Sequence, residues 1–164
     1  MNDGNFSQES LRKEAWDYFQ MHAGQRLSTF NFYIVISSVL STALFTSFQK
    51  DYRVPGVSAI LGFLLAFFSF IFWRLDLRNK ELIKNAEAAL KFFESAREPM
   101  DSAEGFHVTK LFLHEEYKTG KKRSGRYLFL LRRHWSYSDC FNLVFLAFEC
   151  AGLLGIVVGL VQGA

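Results

Sequence analysis

The sequence predicts an all-α membrane protein: three transmembrane helices with helical cytoplasmic extensions, expected to assemble as a homo-oligomer. Three observations carry this reading. Charge is segregated: across residues 30–48, 54–73 and 141–161 the only charged side chain is Glu149, and every other Asp, Glu, Lys and Arg lies outside them. Each run is close to the ~20 apolar residues that a bilayer core requires of a helix. The runs are also continuous rather than alternating, which excludes a porin-like barrel. A purely soluble fold is excluded as well, because three such runs in 164 residues leave too little chain to cover them. The net charge of +3 and mean hydropathy of +0.07 average over two solvents and describe neither.

Four segments follow in order. Residues 1–29 form an N-terminal cytoplasmic helix, in which Trp16, Phe19, Ala23, Leu27 and Phe30 recur at helical spacing. Ser7 is placed to cap it, and Gly24 marks a candidate bend. Residues 30–74 form a transmembrane hairpin. Its first span, Phe30–Phe48, carries Ser and Thr residues and one Asn; its second, Val54–Trp73, is the most hydrophobic stretch and has Pro55 near its start.

Residues 75–135 form a cytoplasmic helical and basic region. A seam of Leu75, Leu82, Ala86, Ala89 and Phe93 predicts a helix to Arg97, stopped by Pro99. This seam and the first stripe fit packing within one chain or between subunits equally well. Between residues 100 and 135, TKLFLHEEYK reads as one or two helical turns, KTGKKRSG as a basic loop, and RYLFLLRRHW as helix in preference to strand. Residues 136–164 form the third transmembrane helix, capped by Ser136 or Ser138 with Asp139 close to its N-terminus.

Lys and Arg set the orientation. Fourteen lie between Arg74 and Arg133, three precede the first span, two occupy the hairpin loop and none follows the third span. The N-terminus is therefore expected in the cytoplasm and the C-terminus outside. Nothing at the N-terminus reads as a cleaved signal, so the first span is expected to remain as an anchor. Cys140 and Cys150 form no CxxC pair and imply no disulfide framework.

Glu149 is the sharpest single residue. A carboxylate within a span is costly unless water or a partner meets it. It reads either as a protonated acid bonded to a neighbouring helix or as an ion-path ligand. Asn142 lies seven residues earlier on the same face, and Asn31, Ser38 and Thr42 form a second polar line on the first span. Ser and Thr in spans commonly bond only their own backbone.

The third span also carries Ala147, Ala151, Gly155 and Gly159 at intervals of four, a ribbon that lets helices approach closely. Three spans enclose a pore poorly, so this ribbon is read as oligomer packing rather than packing within the monomer. Lys118, Lys121, Lys122, Arg123, Arg126, Arg132 and Arg133 are interleaved with Tyr127 and Phe129. Such a stretch suits a single-stranded nucleic acid. The positive-inside rule and anionic lipid account for its charge more simply. No GxGxxG, P-loop, GxSxG or HExxH is present, and HEEYK (residues 114–118) lacks a second zinc ligand. The expectation is no enzyme, no cofactor and no metal.

Four strings carry a resemblance: AWDYFQMHAGQR (residues 15–26), FWRLDLR (72–78), KNAEAAL (84–90) and HWSYSD (134–139). Their layout over about residues 10–160 resembles small inner-membrane proteins of bacterial phage-defence loci, namely the membrane effector of Hailong-type systems, which is paired with a nucleotidyltransferase. The resemblance implies an oligomeric ion channel that depolarises the bacterial inner membrane; the homo-oligomer expected here is a tetramer or larger. It also implies a partner enzyme making short single-stranded DNA oligomers that hold the channel shut. That raises the oligonucleotide reading of residues 118–133 to equal footing with lipid. The competing function is a non-conducting membrane scaffold or adaptor that docks a cytoplasmic protein.

Overall fold

The computed structural model describes residues 3–49, 54, 56–96, 110–114 and 136–163. Three long helices account for most of them: α1 (Asp3–Ser47), α2 (Val57–Ser95) and α3 (Tyr137–Gly163). All three are long and apolar enough to cross a membrane. Residues 111–114 add one helical turn, within the stretch read as one or two turns.

α1 starts earlier than the sequence suggests. Ser7 lies inside it rather than at its cap, and the helix runs through Gly24 without interruption. α2 starts three residues later than the expected span. Val54 and Gly56 belong to a turn in which Gly56 has φ 81°, and the Val57 N–H donates to the Val54 carbonyl at 3.2 Å. That left-handed backbone is open to glycine without the steric penalty other residues meet. α2 then continues to Ser95, about 58 Å at helical rise. At α3, the choice between the two serines resolves to Ser136. Its Oγ accepts from the Asp139 N–H, and the Asp139 carboxylate accepts from the Ser136 N–H, both at 3.2 Å. This is a reciprocal capping box with Asp in the usual Glu position.

The described chain divides into two compact units. One comprises Met1–Gly24 with Asn79–Arg133, the other Gln25–Arg78 with His134–Ala164. In the first unit, Trp16 and Phe19 stack at 5.7 Å, and Phe112 meets both edge-on at 6.4 and 5.6 Å. The Glu94 carboxylate accepts from the Phe112 and Leu113 N–H groups at 3.3 and 3.0 Å, capping the short turn. For Trp16 and Phe19 the stripe therefore packs within the chain, whereas Leu27 is exposed.

The inward seam of α2 differs from the one expected. Its buried positions are Ser58, Gly62, Leu65, Ser69, Phe72 and Asp76 in the second unit and Asn79, Ala86 and Leu90 in the first. Of the expected seam only Ala86 is among them; Leu75 is 44 % exposed. The buried set follows alternating intervals of three and four, with half-buried Ile83 completing it, which is the spacing of left-handed helix packing. α3 repeats it with Phe141, Phe145, half-buried Phe148, Gly152, Gly155 and Gly159.

Glycine brings α2 and α3 into backbone contact. A Cβ on Gly62 would meet the Gly152 carbonyl oxygen at 2.6 Å and the Ile156 nitrogen at 2.7 Å. One on Gly152 would meet the Ala66 nitrogen at 2.6 Å, and one on Gly155 would press on Leu44 at 2.9 Å. Gly159 abuts Ala59. Gly155 and Gly159, expected to pack between subunits, are thus used inside one chain. Ala147 is exposed and Ala151 half-buried.

Gly62→Ala is expected to destabilise the protein by about 1–3 kcal/mol, because the backbones must separate. Gly24→Ala, where a Cβ meets nothing within 4 Å, is expected to stabilise by up to about 1 kcal/mol. Thermal unfolding in detergent, followed by circular dichroism, reads both.

Candidate intramembrane site

The second unit is built in polar and aromatic layers. At one end, the Arg26 guanidinium donates two hydrogen bonds to Asp76, at 2.7 and 2.9 Å, and a third to Ser138 Oγ at 3.2 Å. The pair is well buried, with side chains 13 % and 5 % exposed. Arg26 also lies 5.0 Å from the centre of the Phe141 ring, which stacks on Phe30 at 3.8 Å. The α1 guanidinium is therefore met by one residue of α2 and two of α3. The planar fork of Arg suits the bidentate carboxylate and the ring face together. Three of the strings noted above supply this cluster: the first ends in Arg26, the second holds Asp76 and the last holds Ser138.

The next layer centres on Tyr33, which is fully buried. Its ring meets Phe72 at 5.3 Å, Phe145 at 4.7 Å and Phe148 at 5.8 Å. Its hydroxyl lies 2.9 Å from Ser69 Oγ. Ser69 spends its only proton on the Leu65 carbonyl at 2.8 Å, so Tyr33 is the donor to Ser69. Glu149 is half-buried on α3. Farther along, Ser47 donates to the Leu44 carbonyl at 2.7 Å and receives a hydrogen bond from Ser58 at 2.9 Å.

The predicted polar residues fall into two groups. Glu149 and Asn142 are half-buried on α3, and the Asn142 side-chain oxygen is buried without a hydrogen-bond partner. Asn31, Ser38 and Thr42 are exposed, on a different face of α1 from Tyr33. Within one chain the two groups are not brought together. Ser38 donates to the Ile34 carbonyl at 2.7 Å, Thr42 to the Ser38 carbonyl at 2.9 Å and Thr46 to the Thr42 carbonyl at 2.9 Å. Ser38 and Thr42 line an open groove of about 610 Å³ with Val39, Ala43, Val57 and Leu61. Lys118, Lys121, Lys122, Arg123, Arg126, Arg132 and Arg133 lie outside the described residues. No cluster able to hold a metal ion occurs among the described residues.

Arg26, Asp76, Tyr33 and Ser69 were not singled out from the sequence. The available signal was Asp76, an acid at a position whose neighbours three, four and seven residues away also face inward.

Asp76→Ala leaves the Arg26 charge buried and unpaired, and is expected to lower stability by about 3–5 kcal/mol. The double variant Arg26→Met with Asp76→Leu should recover much of that loss. Parallel melts of the two variants test it, and equal losses would show that the ion pair is not the source.

Compared with known proteins, the chain is 36% identical over 155 residues to CD-NTase-associated protein 19 of Escherichia coli. The match spans 94% of this chain and 91% of that protein. No family model and no solved structure matches the chain.

Proposed function

The chain belongs to the family of CD-NTase-associated protein 19, and from that premise we propose that it is the membrane effector of an anti-phage defence system, acting as a homo-oligomeric ion channel. The relative is named for a CD-NTase, in keeping with the nucleotidyltransferase-linked setting; the Hailong-type assignment is the narrower part of the proposal. The channel lies in the bacterial inner membrane with its N-terminus in the cytoplasm. A nucleotide or short single-stranded DNA oligomer gates it through Lys118, Lys121, Lys122, Arg123, Arg126, Arg132 and Arg133.

The observation that carries the channel reading is Glu149. It is an acid inside a span, half-buried, with no hydrogen bond among the described residues. Such a group is expensive in lipid and is commonly a functional one. The exposed line of Asn31, Ser38 and Thr42 supports it, since a second copy of the chain can meet that line where the first cannot. A scaffold that docks a cytoplasmic protein is the second reading. It is favoured by the exposed Met21, Phe92 and Leu111 of the first unit, at 57, 69 and 62 %.

Planar-bilayer recordings of the purified protein decide between them. Conductance is expected, and short single-stranded DNA should close it. Glu149→Ala should remove most of the current. Charge reversal at Lys121, Lys122 and Arg123 should abolish the DNA response and leave the current. Absence of current with and without DNA, together with unchanged toxicity of Glu149→Ala on overexpression, would overturn the channel in favour of the scaffold.

A further inference from the structure

A single helical turn is not stable by itself in water, because nucleating a helix is costly. The turn at residues 111–114 is therefore helical only while it is docked, and its docking contacts come from both long helices of the first unit. Trp16 and Phe19 of α1 receive the Phe112 ring, and the Glu94 carboxylate of α2 accepts from the Phe112 and Leu113 N–H groups. The His114 N–H closes the turn on the Lys110 carbonyl at 2.9 Å, and Lys110 itself is buried. Glu94 lies in the last turn of α2, where a negative charge opposes the helix dipole. Its two backbone donors offset that cost, and undocking would remove them.

Two arrangements are thus available to the turn, docked and helical or released and unfolded. Only the first joins α1 to α2. The basic stretch begins at Lys118, four residues beyond His114. Four residues span at most about 14 Å, so whatever binds there is tethered closely to the turn. Docking fixes one end of the stretch and reduces the freedom that it must lose on wrapping a polyanion. A ligand of that class accordingly binds the docked arrangement more tightly. By linkage it favours docking by the same factor.

We infer that the turn is a strap whose docking is coupled to oligonucleotide binding: a single-stranded polyanion on residues 118–133 holds Phe112 and Glu94 in place and so ties α1 to α2. The inference rests on the ligand reading of those residues and not on conductance. Both tied helices are also candidate spans, which gives a cytoplasmic ligand a route to the membrane.

Oligodeoxythymidine is the probe, added to the full-length protein in lipid. Amide exchange is read by mass spectrometry on the peptide that carries Phe112 and Leu113. At saturating probe it should slow by about fivefold or more. Phe112→Ala and Glu94→Ala should weaken probe binding by that same factor. The salt dependence of binding should stay as in the parent, because no phosphate contact is lost. Leu111→Ala, at an exposed neighbour, should alter neither readout, and circular dichroism should show the parent's helix content in all three variants. Probe that binds without slowing exchange, or with parent affinity in both Phe112→Ala and Glu94→Ala, would overturn the strap alone. Weaker binding with a shallower salt dependence would mean that ligand contacts are lost directly, and would overturn it too. Probe that fails to bind the parent would remove the ligand reading and the strap with it.

Discussion

In hydrocarbon, an apolar side chain gains little by leaving lipid for another apolar side chain, so helix association rests on close approach and polar contact. The contact between Gly62 and the Gly152–Gly155 stretch meets that constraint most directly, since a single added methyl group there would overlap backbone atoms. Close approach at that point sets the axial register of α2 against α3. The other layers are arranged around it: Leu44 fills the hollow above Gly155, and the aromatic layer at Tyr33 occupies the space where larger residues hold the helices apart. The buried ion pair lies at the end of that series.

The polar contacts then supply what apolar packing cannot, namely a single pairing of faces. Ser47 with Ser58, Tyr33 with Ser69 and Arg26 with Asp76 lie on the same pair of helices. A rotation of either helix would leave several donors unpaired at once. Inside a membrane each such group is costly, so the alternatives are disfavoured together. Glu149 stands apart from this arrangement. It is half-buried on α3 and takes no part in these pairs.

Much of the fold was legible because it is a matter of solvent. Long uncharged runs against charged flanks announce three helices, and the Ser136 and Asp139 pattern marks where the third begins. The inward faces were harder to read. Within a span nearly every position is apolar, so periodicity of hydrophobicity vanishes, and the seam is marked instead by small and hydroxyl residues such as Ser58, Gly62 and Ser69. Beyond the span, the expected seam starts at Leu75, but the inward position is its neighbour Asp76, an acid that is buried because it pairs with Arg26. The glycine spacing on α3 was visible, but spacing alone does not say which helix comes close. Glu149 is legible as a lone acid, whereas the pairing of Tyr33 with Ser69 joins two helices and needs the register between them.

The chain of hydroxyls along Ser38, Thr42 and Thr46 has a consequence of its own. Each proton is already held by a carbonyl of α1, one turn back. The face therefore makes no demand on its surroundings, yet its oxygens keep lone pairs that water can use. A surface of this kind is nearly indifferent between oil and water. It can be wetted and dried repeatedly with little change in free energy, which is the property a wall needs if it borders lipid at one moment and an aqueous passage at the next.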